Sequence, residues 1–124
     1  MAKKVLYIED SPTDAVLIKE LLEKAGLDVT IAKTGKEGIE KAKEIKPDLV
    51  LLDCILPDIS GFDVCSKIRK DGSLHKTLII MITIKDSLDE ISKAFILGAD
   101  DYVIKPSMPE FLVRKIKLYL NEKR

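Results

Sequence analysis

Leu49-Val-Leu-Leu-Asp53 is the stretch on which the reading turns. Pro47 launches it, and an unbroken apolar run then closes on a carboxylate. A short run without polar alternation reads as a strand buried on both faces, inside a parallel sheet with helices above and below. Three more runs follow the same grammar. Val5-Leu-Tyr-Ile8 is followed by Glu9 and Asp10, Leu78-Ile-Ile-Met-Ile82 by Thr83, and Asp101-Tyr-Val-Ile104 by Lys105 and Pro106. If these strands lie parallel in one sheet, their trailing polar groups meet at its carboxyl edge, where open α/β sheets bind ligands.

Helical patterns fill the intervals, and strict alternation of strand and helix argues for successive βαβ units. Ser11 as N-cap and Pro12 in the first turn start a helix whose inner face is Ala15, Ile18, Leu22 and Ala25, and Gly26 stops it. Val29-Thr-Ile-Ala32 is more mixed and belongs nearer a sheet edge. A charged helix over 35–46 is expected to bury Ile39, Ala42 and Ile45 and to pair Glu37 with Lys41 outside. Gly61 is expected to supply a positive-φ turn and open a helix through Phe62, Cys65 and Ile68 that ends at Gly72. A fourth helix, over about 86–97, should bury Leu88, Ile91 and Phe95, with Gly98 as its cap. The fifth, over about 108–121, should turn Leu112, Ile116 and Tyr119 inward. The expectation is one α/β domain over 1–124, with no repeat or linker.

Bulk properties exclude several classes. Lys+Arg and Asp+Glu both number 21, so the formal net charge is zero. A nucleic-acid binder usually carries a basic excess, so no direct nucleic-acid contact is expected. The longest apolar run is five residues, Leu78 to Ile82, against the roughly 20 that a membrane span needs. Lys3 and Lys4 precede an apolar stretch too short for a signal peptide. Cys54 and Cys65 have no zinc spacing and read as reduced thiols, which suits a cytoplasmic protein. His75, the one histidine, sits in the polar loop Ser73-Leu-His-Lys-Thr77 and receives no role.

The carboxylates that collect at the sheet edge would repel one another without a cation, and an oxygen-rich donor set suits Mg²⁺. That combination points to phosphoryl chemistry on a carboxylate. Asp53-Cys-Ile-Leu-Pro-Asp-Ile-Ser-Gly-Phe-Asp63 and Gly98-Ala-Asp-Asp-Tyr-Val-Ile-Lys-Pro106 go further. With Glu9-Asp10-Ser-Pro and Thr83, they resemble the receiver domain of two-component response regulators, in order and along the whole chain. The resemblance implies a flavodoxin-like (βα)5 three-layer fold with a parallel sheet in the order 2-1-3-4-5.

It also implies roles. Asp53 would be the phosphoacceptor, taking its phosphoryl group from a histidine of a sensor histidine kinase or phosphotransfer protein. Glu9, Asp10, Asp53 and the backbone carbonyl of Ile55 would hold Mg²⁺, Asp10 directly and Glu9 through water. Lys105 would pair with Asp53 and then with the phosphoryl oxygens, next to a cis bond to Pro106. The Thr83 hydroxyl and the Ile84 N–H would bond the phosphoryl group, and Tyr102 would rotate into the space that Thr83 leaves. Plainer readings stand beside these. Asp53 can cap a loop, the acidic pair can serve a helix dipole, Thr83 is a β-branched strand end, and Tyr102 an amphipathic edge aromatic. Asp58, Asp63, Asp100 and Asp101 are read as structural.

The implied output is a switched protein contact through the fourth helix, fifth strand and fifth helix, as a monomer or a phosphorylation-dependent dimer. Lys93, Asp100, Asp101, Arg114 and Lys115 offer both signs of charge there. The chain would catalyse only its own phosphorylation and slow dephosphorylation. Helix five ends shortly before Arg124, so output is expected by contact or relay, unless the chain is a piece of a larger regulator or hybrid kinase. A phosphatase with an aspartyl nucleophile would need a second Asp where Ile55 stands, and a flavin carrier would not tolerate Glu9 and Asp10 beside its phosphate. A degenerate receiver, working as a phosphorylation-independent interaction module, remains the alternative. Ile84 stands where the family usually has a small residue. With Ile55 it is expected to crowd Asp53, lengthening the life of an aspartyl-phosphate and slowing loading from small donors. The Cys54 side chain should point to the opposite strand face from Asp53 and take no part.

Overall fold

Register within one sheet positions every strand end that the sequence singles out. The computed structural model describes residues 2–121. The chain runs β1 (Lys4–Ile8), α1 (Pro12–Lys24), β2 (Asp28–Ala32), α2 (Gly35–Ile45), β3 (Leu49–Leu52) and α3 (Gly61–Lys70). A 3₁₀ turn, Gly72–Leu74, then leads to β4 (Leu78–Thr83), α4 (Leu88–Ile96), β5 (Asp101–Ile104) and α5 (Pro109–Asn121). The strands pair in parallel in the order β2-β1-β3-β4-β5, the flavodoxin-like order, with the mixed β2 on an edge. Arg124 lies outside the described residues.

Alternate strand residues feed two separate cores. Leu6, Ile8, Val50, Leu52, Ile79 and Met81 face α2, α3 and α4. Val5, Tyr7, Leu49, Leu51, Ile80 and Ile82 face α1 and α5 through Ile18, Leu22, Leu112, Ile116 and Leu120. This is why the central strands read as continuous apolar runs: both pleat directions are dry. Ladder partners then level the strand ends. Ile8 pairs with Leu52, so Glu9 and Asp53 emerge side by side. Thr83 pairs with Ile104, so Lys105 emerges just beyond Thr83.

The loops are tied by local chemistry. Ser11 caps α1 by accepting from the Asp14 N–H at 3.4 Å, and Pro12 occupies its first turn. Asp58 accepts from the Gly35 and Lys36 N–H groups at 2.8 and 2.9 Å, so it serves the start of α2 and fastens the β3–α3 loop to it. Arg69 donates to the carbonyls of Gly98 and Thr77 and pairs with Asp100 at 3.0 Å, which holds α3 against the chain that enters β5. Asp100 and Asp101 are structural, as expected: Asp101 accepts from Lys115 at 2.7 Å and from the Tyr119 hydroxyl at 2.8 Å.

Several expectations are corrected. In α4, Leu88 is 81% exposed and Phe95 45%, whereas Ala94 is fully buried and Ile91 and Leu97 are partly so. Leu88, Ile91, Ala94 and Phe95 share one broad apolar side of this helix, so periodicity alone did not choose which of them packs inward. In α5 it is Leu120 that turns inward, and Tyr119 is half-buried because its hydroxyl reaches Asp101. Lys41 pairs with Glu44 at 3.9 Å rather than with Glu37, whose carboxylate accepts from the Lys33 N–H at 2.9 Å. Helix α3 ends at Lys70, two residues before Gly72, because Asp71 caps the following turn. Among the described glycines, positive φ occurs at Gly26 and Gly98, not at Gly61. Gly61 is required for a different reason: a Cβ there would run into the backbone carbonyl of Asp53.

The inner and outer faces make a direct prediction. Leu51→Ala, at a site with 0% exposure, should lose about 2–5 kcal/mol of stability in urea unfolding. Leu88→Ala should stay within about 0.5 kcal/mol of the parent, since no core contact is lost.

Candidate functional site at the sheet's carboxyl edge

Three elements deliver the central charges. Glu9 follows β1 and is 2% exposed, Asp53 follows β3 and is 6% exposed, and Lys105 follows β5. Backbone bonds hold each in place: Glu9 N–H to Ala32 O, Asp53 N–H to Ile8 O, and Lys105 N–H to Thr83 O at 2.8 Å. The Lys105–Pro106 bond is cis, as the resemblance implied. Lys105 Nζ then lies 2.8 Å from Glu9 Oε1, 2.9 Å from Asp53 Oδ2 and 3.2 Å from Asp14 Oδ2.

Each buried carboxylate has further partners. Asp53 Oδ1 accepts from the Ile55 N–H at 2.9 Å. Glu9 accepts from the Tyr7 hydroxyl at 3.3 Å and from the Ser11 N–H at 3.1 Å. Among the described residues, no buried side-chain nitrogen or oxygen lacks a partner. Asp10 stands on the exposed side of the edge, outside the Lys105 network.

Protonation follows the same geometry. Burial raises the Glu9 carboxyl above its usual range, and the bonds from Lys105 and Ser11 offset only part of that. Burial alone would lower Lys105, but Glu9 and Asp53 more than reverse it, and the ammonium holds its proton above the usual lysine range. Burial, together with Glu9 and Asp14, pushes the Tyr7 hydroxyl upward. Burial also pushes the Cys54 thiol up to about 11, so it stays protonated.

A second group adjoins this one. Thr83 is fully buried, and its Oγ1 accepts from the Lys85 N–H at 3.4 Å. The Tyr102 hydroxyl donates to the Lys85 carbonyl at 2.7 Å and lies 4.0 Å from Cys54 Sγ. The tyrosine ring is therefore tucked against the core. Cys54 does face away from Asp53, on the side of Val50 and Leu52, yet that side is where the tyrosine packs. Ile84 is 65% exposed and Ile55 47%, so neither isoleucine is drawn into the core. Ile84 lines the wall of a cavity of about 310 Å³ beside Lys105, together with Asp14, Leu17 and Pro106.

Two participants were missed by sequence reasoning, Asp14 on Lys105 and Cys54 under Tyr102. The signal for Asp14 was available: it sits in the first turn of a helix that starts at the edge where the site lies. Cys54 continues the period-two series of Val50 and Leu52, but its contact with Tyr102 requires strands β3, β4 and β5 to be assembled.

The family model for the response regulator receiver domain matches residues 5–117. The chain belongs to this family. Among curated proteins, the receiver is 37% identical over 120 residues to the alkaline phosphatase synthesis transcriptional regulatory protein PhoP of Bacillus subtilis, covering 97% of this chain and 49% of PhoP. It is 34% identical to the DNA-binding response regulator MtrA of Mycolicibacterium smegmatis, covering 97% of this chain and 51% of MtrA. The chain thus spans about half the length of the curated relatives it matches. Among solved structures, a CheY-like response regulator receiver domain protein from Methanospirillum hungatei superimposes with a TM-score of 0.93 at 34% identity, covering 98% of this chain and 96% of that one. The BeF3-activated N-terminal receiver domain of Klebsiella pneumoniae RstA gives 0.88 at 32% identity, covering 97% of this chain and all of that one. Receiver domains of response regulators are signalling modules of two-component systems.

Glu9 supplies a pH test of the geometry. Its pKa is raised in the folded protein, so the native state keeps that proton to a higher pH than the unfolded chain. The associated stability is complete below the ordinary value of 4.5 and is lost as pH rises through the raised folded value. Glu9→Gln should therefore flatten the decline of Tm with rising pH above about 4.5, followed by calorimetry in chelated, metal-free buffer.

Proposed function

We propose that this receiver accepts a phosphoryl group on Asp53 and signals by changing a protein-interaction surface. The observation that carries the reading is the Lys105 ammonium held 2.9 Å from a buried Asp53 carboxylate, with Glu9 alongside. In the transfer, an Asp53 oxygen forms the new P–O bond as the P–N bond to a phosphohistidine breaks, and the leaving imidazole takes a proton. The donor would be a sensor histidine kinase or a phosphotransfer protein. Lys105 supplies fixed positive charge for the phosphoryl oxygens, and the protein contributes mainly position and electrostatics.

The donor set fits Mg²⁺. Lys105 already sits as a cation between Glu9 and Asp53, which marks the place as one where positive charge is stabilised. Among the described residues, no three acidic, histidine or cysteine side chains form a ready-made metal cage; the three carboxylates that meet at Lys105 are held by its ammonium. We assign Glu9, Asp10, Asp53 and the Ile55 carbonyl as the groups that would hold the ion, with the exposed Asp10 free to turn toward it. When bound, the ion would offset charge on the transferring oxygens. Thr83 and the Ile84 N–H would receive the phosphoryl group. Movement of Thr83 would disturb its bond with the Lys85 N–H, the same residue whose carbonyl anchors Tyr102.

The output would leave through the α4–β5–α5 face. Leu88, Ile96, Ile104 and Phe111 are exposed there, at 81%, 83%, 41% and 53%, and such apolar surface suits a protein partner or a second copy of the chain. Direct nucleic-acid contact is not assigned to this domain; its zero net charge supports that. In relatives named as DNA-binding, the chain matches only about half the protein.

Intact mass after incubation with acetyl phosphate tests the reading. The expected outcome is a Mg²⁺-dependent gain of one phosphoryl group that Asp53→Asn abolishes; no gain in either the parent or Ile84→Ala, or a gain that survives in Asp53→Asn, would refute the assignment. Ile84→Ala should speed both loading and loss of the phosphoryl group, followed by the same mass readout over time. Unchanged rates would remove Ile84 as a barrier.

A further inference from the structure

Asp14 is the member of the Lys105 network that the reading above does not use. A lysine ammonium has three N–H donors and no acceptor. Here they point to Glu9 Oε1, Asp53 Oδ2 and Asp14 Oδ2, at 2.8, 2.9 and 3.2 Å, so the group is saturated. The three contacts are unequal. The Glu9 side chain is 2% exposed and that of Asp53 9%, but that of Asp14 is 45% exposed and its contact is the longest. Asp14 also borders the cavity of about 310 Å³ beside Lys105, so its carboxylate has an open space to swing into. Its backbone N–H bonds Ser11 Oγ, which fixes the helix turn and leaves the side chain free to move.

We propose that Asp14 is a positioning residue that competes with the phosphoryl group for Lys105. It occupies the third N–H in the resting site and surrenders it when the phosphoryl oxygens arrive. This rests on Asp53 being the phosphoacceptor. The Asp53 contact passes to an oxygen of the phosphoryl group that Asp53 then carries, and any further phosphoryl oxygen can reach the saturated ammonium only by displacing Glu9 or Asp14. Releasing Glu9 would leave a buried carboxylate with fewer donors, which is strongly unfavourable. A half-exposed carboxylate is rehydrated on release and loses little. The Asp14 contact is therefore the one that gives way, and it works as a latch between the first turn of α1 and the end of β5.

The consequence is a bias against the phosphorylated state, of the size expected for a part-exposed ion pair. With the latch removed, the affinity for a phosphoryl mimic should rise by about two- to fivefold. The experiment is an amide-NMR titration of the full chain with beryllium trifluoride at saturating Mg²⁺. Asp14→Asn and Asp14→Ala should bind that much more tightly. Asp14→Glu keeps the charge and the reach and should match the parent. Glu20→Gln, the same charge change at an exposed position of α1, should also match it. In a Lys105→Gln background the gain from Asp14→Asn should vanish, as a double-mutant cycle requires of a direct pair. If Asp14 serves only the first turn of α1, Asp14→Asn will lower Tm and leave the affinity unchanged, and the proposal fails. It fails equally if the gain persists without Lys105 or appears in Glu20→Gln. If the parent itself binds no beryllium trifluoride, the phosphoacceptor reading falls, and this inference with it.

Discussion

The Lys105 ammonium, held between two buried carboxylates, is the interaction on which the site depends. Glu9 and Asp53 emerge on neighbouring strands with their charges side by side, and each is almost completely shielded from water. Left alone, two such charges would drive protonation or unfolding. Lys105 arrives from β5, across the intervening β4, and satisfies both. Its place is set by the backbone bond from Lys105 N–H to Thr83 O, which continues the β4–β5 ladder by one more step. Sheet register and site electrostatics are thus one constraint: a slip in β5 would strand two carboxylates.

That constraint also explains the division of labour around the sheet. The α1 and α5 side carries a dense apolar core that includes Tyr7, Ile18, Leu22, Leu112 and Ile116, and it anchors the strands that bring Glu9 and Lys105. The α4 side is different. Only Ala94 of that helix is fully buried, while Leu88 and Ile96 stand in solvent. The β4–α4 loop is instead held by polar contacts centred on Lys85, which bonds Thr83 through its N–H, receives Tyr102 on its carbonyl and pairs with Glu90 at 3.1 Å. Segments with few buried apolar contacts open at low free energy. The β4–α4 side can therefore open at lower free energy than the α1–α5 side.

Much of this was legible from residue order. The four apolar runs, the capping residues Ser11 and Pro12, and the polar groups that end each strand determined a parallel five-stranded α/β domain with Asp53, Glu9 and Lys105 at one edge. These features are local: a dry strand has to be apolar on both pleat directions, and a helix start needs its N-cap. The motif that follows Asp53 and the one that ends in Lys105-Pro106 carried the family resemblance.

What residue order left open belongs to packing. The inner face of α4 could not be chosen because Leu88, Ile91, Ala94 and Phe95 share one broad apolar side, and only contact with the sheet selects Ala94 over Phe95. Gly61 signalled a turn, but its role comes from the closeness of the Asp53 carbonyl, a neighbour in space. The third carboxylate on Lys105 lies 91 positions away along the chain, and the Cys54–Tyr102 contact spans 48. Sequence by itself determined which groups stand at the ends of the strands, because strand and helix periodicities are properties of neighbouring residues. Only the tertiary structure decided which of those groups touch, because distances across the sheet depend on the register of β1, β3, β4 and β5 taken together.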